Sequence, residues 1–167
     1  MGFSVSYEVP RHGYGQYYST TCWYASYRML FSWKNADEDT IAPKLKKAGL
    51  ALNELKKRGL LMNEYPTAAG ALGLCGWRGS WVRTQSAGMI AHILKGYGPL
   101  WAALDWRGEP GAGHAVVVVA YDDESEVFKV HNPYNRFEPG FVEVDWLKPA
   151  SLRNWIQDTR FALQAWY

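Results

Sequence analysis

Cys22 follows Gln16 by six positions in the run Gln16-Tyr17-Tyr18-Ser19-Thr20-Thr21-Cys22-Trp23, and an apolar, aromatic stretch continues to Trp33. A helix that begins at Cys22 would hold its sulfur among unpaired backbone N–H groups at the positive end of the helix dipole. Both favour thiolate over thiol. Ser19, Thr20 and Thr21 are capping residue types just upstream. A cysteine placed this way becomes a nucleophile when a histidine base reaches it.

Four histidines are available, at positions 12, 92, 114 and 131. His12 sits in a glycine-containing loop and His92 in a helical stretch, where surface or core roles are the ordinary ones. His114 opens an apolar strand after the loop Gly108-Glu109-Pro110-Gly111-Ala112-Gly113, whose glycines let a ligand backbone approach closely. With Asp122-Asp123-Glu124-Ser125 as the following turn, Tyr121 faces Glu126 and His114 faces Pro133. A one-residue change in that turn puts Asn132 directly across from His114. Cross-strand Cβ atoms then stand within roughly 5.5 Å, near enough for the Asn132 carboxamide to accept the ring N–H and fix the tautomer. His131 points to the opposite face and reads as structural or surface. Cys75, in the run Leu72 to Trp77, reads as a buried, inert thiol. Two distant cysteines without a paired C-x-x-C or H-x-x-x-H supply no metal ligand set, so no metal and no cofactor is expected.

The elements that must position these residues change character along the chain. Residues 3–9 alternate as a short edge strand would. Helical patterns cover about 22–34, 38–48, 51–58, 67–74 and 86–96, and Gly49 and Gly59 stop two of them behind lysine-rich last turns. From Pro99 the pattern is β: Leu100–Trp106, His114–Tyr121, Glu126–His131, Phe141–Trp146 and Phe161–Trp166, with a short helix at 150–157. The run Val116 to Val119 is apolar on both faces and predicts a central strand covered on both sides. The chain thus reads as one α+β domain over residues 1–167. A helical lobe spans about 10–98 and an antiparallel sheet lobe about 99–167, the N-terminal strand joining the sheet and the site lying in the cleft between. At 167 residues and net charge +2, nothing points to nucleic acid or an anionic membrane. No segment reaches the length of a membrane span. The N-terminus has no secretory signal, and it meets the loose myristoylation pattern at Gly2 and Ser6 against a bulky Phe3. Nine Trp and 11 Tyr exceed what a small core hides, so some line a groove.

In order, Gln16, Cys22-Trp23, Gly113-His114-Ala115 and Asn132-Pro133 resemble the papain-like cysteine peptidases, as does the order of lobes, helical then β. The chain is similar to compact papain-like avirulence peptidases that bacteria inject into other cells, and to double-glycine leader peptidases of bacteriocin exporters. Its length, the stretch Ala69 to Leu74 and the His131-Asn132-Pro133 ending fit these better than papain itself. The resemblance implies a Cys22–His114–Asn132 triad, with the Gln16 amide and the Cys22 N–H as oxyanion donors. Those compact groups usually carry Asp at the Asn132 position, so its orienting role follows the papain pattern. Papain's shielding Trp after its Asn is absent here, and Tyr134 is the candidate substitute.

The implied activity is cleavage of a protein or peptide substrate. Deamidation, transglutamination or cell-wall amidase chemistry on the same fold is one alternative, and a non-catalytic peptide-binding module is another. Trp23, Gly113, Trp77, Trp101 and Tyr134 are expected along the substrate cleft, with Trp81 and Trp106 as further walls that would favour small residues such as Gly at the scissile bond. Only 21 residues precede Cys22, which leaves no room for an inhibitory pro-segment; the expectation is either that the chain is a catalytic piece of a longer protein or that another molecule, such as a cognate immunity or inhibitor protein, restrains it. The expected setting is a protein made in the bacterial cytoplasm without a signal peptide and exported by a specialised secretion system into a target cell.

Overall fold

The computed structural model describes residues 4–16, 18, 20–111, 113–134 and 142–167. Gly2, Phe3, Tyr17, Ser19, Ala112 and Phe141 of the readings above lie outside the described residues. In chain order the elements are β1 (Val5–Ser6), α1 (Cys22–Trp33), α2 (Ile41–Lys47), α3 (Leu52–Arg58), α4 (Tyr65–Leu72), β2 (Leu74–Trp77), α5 (Gly79–Arg83), α6 (Ala87–Tyr97), β3 (Leu100–Asp105), β4 (Gly113–Asp122), β5 (Val127–Asn132), β6 (Glu143–Leu147), α7 (Pro149–Trp155) and β7 (Leu163–Trp166). Helices and an antiparallel sheet combine in an α+β, papain-like fold.

The sheet runs β2-β7-β3-β4-β5-β6, and β1 continues along β4 through Val5 opposite Tyr121 and Ser6 opposite Ala120. Side chains alternate along a strand, so β4 feeds two cores. Ala115, Val117 and Val119 pack with α1 and with Ile41, Leu45, Leu55 and Tyr65 of the helices after it. Val116 and Val118 pack on the other face with Ile90 and Leu94 of α6 and Leu152 of α7. Residues 116–119 are fully buried, as a continuous apolar run demands of a strand covered on both sides.

Two elements depart from the expected lobes. β2 lies in the stretch read as helical, yet it joins the sheet, with Cys75 opposite Ala165 and Trp77 opposite Leu163. A short helix, α5, follows it, and its Val82 is buried with the β7 side of the sheet. Gly79 opens α5 because a Cβ there would lie 1.8 Å from the Gln157 carbonyl oxygen. The sheet therefore reaches back into the N-terminal half, and helices cover both of its faces.

The β4–β5 turn is also one residue later than the sequence pattern indicated. Asp122 pairs with Val127, and its carboxylate accepts hydrogen bonds from the Glu124 N–H (3.1 Å) and the Ser125 hydroxyl (2.5 Å). Glu126 closes the turn at φ 52°. A bulge between Val118 and Ala120 then shifts the register, so that Val117 faces His131.

Candidate active site

Cys22 is the first residue of α1, behind Thr21 at the cap position. The Thr21 hydroxyl does not cap the helix: it donates to the Tyr18 carbonyl at 2.9 Å and accepts the Tyr18 N–H. The N–H groups of the first turn therefore stay unpaired by side chains, which is the state that favours an anion. One turn on, Ser26 donates to the Ala115 carbonyl at 3.2 Å, while the Ala115 N–H donates to Cys22 Sγ at 3.4 Å. Positions 22 and 26 share a helix face. Both bonds seat α1 on the residue after His114.

His114 Nε2 donates to Asn132 Oδ1 at 2.6 Å. The contact is diagonal rather than directly across: with Val117 opposite His131, Asn132 falls beside Val116, and His114 lies two residues beyond on the same face. Long side chains span that diagonal. Asn132 Oδ1 also accepts the Tyr134 N–H at 3.0 Å, and Asn132 Nδ2 donates to Asp145 Oδ2 at 3.1 Å. With Nε2 engaged, Nδ1 is the ring nitrogen that can exchange a proton with sulfur or substrate.

Gln16 joins the same region through its backbone, whose N–H donates to the Pro133 carbonyl at 2.8 Å. Its side-chain amide donates to the Tyr18 carbonyl at 2.8 Å, and its Oε1 is buried without a partner among the described residues. One of its two amide hydrogens is engaged by that carbonyl.

Burial dominates the electrostatics. It pushes the Cys22 thiol above its ordinary pKa, against the pull of the N–H groups of Ala115, Trp23 and Cys22 itself. It holds the His114 imidazole below its ordinary value, against the Asn132 hydrogen bond and the charge of Asp145. Both shifts favour a neutral thiol beside a neutral imidazole. A preformed ion pair, which the helix terminus alone would support, is thus opposed by desolvation.

Several residues differ from their expected places. Gly113 adjoins His114 and Tyr134 bonds Asn132; at position 113 a Cβ would meet Gln157 Nε2 at 2.8 Å. Trp23 is 3% exposed and Trp101 fully buried, so neither lines a cleft; Trp23 belongs to α1, and Trp101 packs against that helix through Tyr27 and the Trp23 carbonyl. Trp77 stands on the β2 edge against Tyr97, ring centroids 5.0 Å apart, and Trp81 lies on α5. Trp23 and Trp101 are hidden in the core while Trp81 is exposed, and exposure is a property the local sequence does not encode. The aromatic that packs on His114 is Trp106, edge-on at 5.6 Å and backed by Trp155 at 5.4 Å. Tyr134 contributes its N–H, and its side chain is exposed.

Residues that carry no motif complete the surroundings. Tyr65 donates to Gln157 Oε1 at 2.7 Å, and Gln157 Nε2 approaches Asp105 at 3.4 Å. The Tyr65 phenol is pushed up by burial first, then by charge at Cys22 and Asp105. Cys75 is half-buried on the sheet edge, not enclosed. Among the described residues no group of three or more His, Cys, Asp or Glu side chains could hold a metal ion, and no helix is long and apolar enough to cross a membrane.

His131 faces away from this cluster, 3% exposed, with Nδ1 unpartnered among the described residues. Burial, aided by the charges of Lys129 and Arg11, lowers its pKa to about 4. The folded value lies below that of the unfolded chain, about 6.5, so the unfolded state binds the extra proton between the two. This contribution to stability is complete above about pH 6.5 and is lost as pH falls toward about 4, by roughly 2–3 kcal/mol. Thermal unfolding across that window should show the decline, and His131→Leu should flatten it.

The family model for the papain-like cysteine protease AvrRpt2 matches residues 3–141. No curated protein matches the chain. A helix-start cysteine seated on the residue after a histidine, an asparagine bonded to that histidine, and a family match over most of the length agree. The chain belongs to the papain-like cysteine proteases of the AvrRpt2 family, bacterial effector-type hydrolases of peptide bonds.

Proposed function

We propose that this peptidase is a secreted bacterial effector that cleaves a protein inside a target cell, with Cys22 as nucleophile, His114 as base and acid, and Asn132 as its orienting partner. The observation that carries the reading is the 2.6 Å bond from His114 Nε2 to Asn132 Oδ1, made one residue from the N–H that holds Cys22 Sγ. In the cycle, His114 Nδ1 takes the thiol proton as Sγ attacks the scissile carbonyl carbon. The tetrahedral oxyanion receives hydrogen bonds from the Cys22 N–H and the Gln16 amide. The C–N bond then breaks, and His114 returns the proton to the leaving amine. Water, deprotonated by the same imidazole, attacks the thioester and frees the acid and the thiol.

Gln16→Ala tests the oxyanion role. It should lower kcat by about 10²–10³ with KM little changed, because the donor acts on charge that develops only in the transition state. Steady-state kinetics on a cleaved peptide measures it. Trp106, beside His114, is the wall that supports a preference for a small residue such as Gly at the scissile bond.

The deciding experiment is mass spectrometry of a target-cell proteome exposed to wild-type protein or to Cys22→Ala. New N-termini that require Cys22 support proteolysis. Mass gains of about one dalton on Gln or Asn in place of new termini would assign deamidation instead. Iodoacetamide labelling of Cys22 that His114→Ala slows, with Cys75 unaffected, separates an enzyme from a peptide-binding module.

A further inference from the structure

We propose that Asp145 is a positioning residue for His114: acting through Asn132, it fixes the imidazole as the Nε2–H tautomer and stabilises the imidazolium that forms in the reaction. The proposal rests on the triad reading above. Asp145 lies on β6 opposite Val130, so it shares a face with Asn132 two residues along β5. No motif marks it, because it reaches the site through strand pairing alone.

The hydrogen-bond logic admits one arrangement. A carboxylate only accepts, so the side of Asn132 that faces Asp145 Oδ2 at 3.1 Å must be its NH₂. Oδ1 then turns to His114 Nε2 at 2.6 Å, and the Tyr134 N–H at 3.0 Å enforces the same choice. An amide oxygen only accepts as well, so Nε2 must carry the proton and Nδ1 must be the base. Asp145, Asn132 and His114 form a single line of acceptor, donor, acceptor and donor. A neutral amide touches the imidazole, and the negative charge sits one residue further back.

Charge and orientation are separable. The chargeable groups on the elements around His114 include Cys22 on α1, Asp105 and Arg107 at and after the end of β3, Asp122 at the far end of β4, Lys129 and His131 on β5, Glu143 and Asp145 on β6, and Arg153 on α7. Of these, Asp145 is the one whose charge acts on the imidazole, in the direction that favours its protonated form. Asp145→Asn keeps the shape and an acceptor for the Asn132 NH₂ while removing that charge. The exchange variant Asn132→Asp with Asp145→Asn returns a carboxylate to the line, now in direct contact with Nε2.

The test uses ¹⁵N-labelled protein and NMR detection of the His114 ring nitrogens across pH, beside steady-state kinetics. Wild type should show the Nε2–H tautomer. In Asp145→Asn the His114 midpoint should fall by about half a pH unit or more, and kcat should drop roughly tenfold at constant KM. The exchange variant, with a carboxylate against Nε2, should raise the midpoint again and recover most of the rate; a merely structural role for Asp145 would leave the midpoint of Asp145→Asn unmoved. A midpoint and a kcat in Asp145→Asn equal to wild type overturn the proposal; so does an Nδ1–H tautomer in wild type. Should Asp145→Asn fold poorly, Asp145→Ser carries the same readings. The NMR midpoint needs no substrate, so the proposal is decided even if Cys22→Ala retains activity and the triad reading falls.

Discussion

Cys22→Ala should abolish peptide-bond cleavage while the protein still folds. The substitution removes the atom proposed to form the thioester, and the hydroxyl of neighbouring Thr21 is tied to Tyr18. Loss of a nucleophile in such a constellation lowers the rate by on the order of 10⁵–10⁶, leaving what binding and the oxyanion donors supply. The structural effect is small by comparison. Sγ accepts one long hydrogen bond, 3.4 Å from the Ala115 nitrogen, and the Ser26 bond to the Ala115 carbonyl survives. Stability should fall by about 1 kcal/mol, a lost weak acceptor plus a one-atom cavity. The measurement is kcat/KM beside the calorimetric Tm of both proteins. Undiminished turnover would remove Cys22 from the chemistry, and a collapsed Tm would make the loss of activity uninformative.

Trp101→Ala produces the largest loss of stability, about 3–5 kcal/mol for a fully enclosed Trp. Its ring stacks on Tyr27 of α1 at 5.0 Å and 8°, meets Tyr65 of α4 edge-on at 5.3 Å, and donates from Nε1 to the Trp23 carbonyl at 3.2 Å. One side chain of β3 thus holds the first turn of α1 and the start of α4, and through them the depth of Cys22. Trp101→Phe keeps an aromatic surface and loses the N–H bond and part of the volume, so it should cost less, about 1–2 kcal/mol. Denaturant unfolding of both variants checks the order. A Trp101→Ala protein as stable as wild type would mean the ring is not the enclosed core residue described above. Because the ring is sealed from solvent, substrate preference should be unchanged in the folded fraction of either variant.

Much of this site was legible before any coordinates. Cys22 begins its helix where an apolar, aromatic stretch starts, a local signal; the capping types before it supply no side-chain cap. Gly49 and Gly59 end two helical patterns at φ 87° and 82°, conformations in which a side chain is strained. The pairing of His114 with Asn132 was within reach because a hairpin connects near neighbours in sequence. Its geometry was not: the turn closes one residue late on Asp122 and Glu126, and the bulge near Val119 shifts the register again. A hairpin register depends on turn type: the turn read from sequence set His114 opposite Pro133, whereas the late turn and the bulge put Asn132 beside Val116 and on a diagonal from His114.

The sequence by itself determined the chemistry: a thiol at a helix start, a histidine at the head of a central strand and an asparagine on the next. Residue type, 3.6- and 2-residue periodicity and turn residues are carried by adjacent positions, so they can be read without a fold. Tertiary structure alone decided what surrounds that chemistry. It brought β2 into the sheet opposite β7, some 90 residues away, sank Trp101 into the core and set Trp106 against His114. It also brought Asp145 behind Asn132. Each of these follows from long-range packing, where burial of apolar area and strand pairing outweigh local preference. The same packing raised the thiol and lowered the imidazole, so the resting charge state of Cys22 and His114 belongs to the fold and not to the motif.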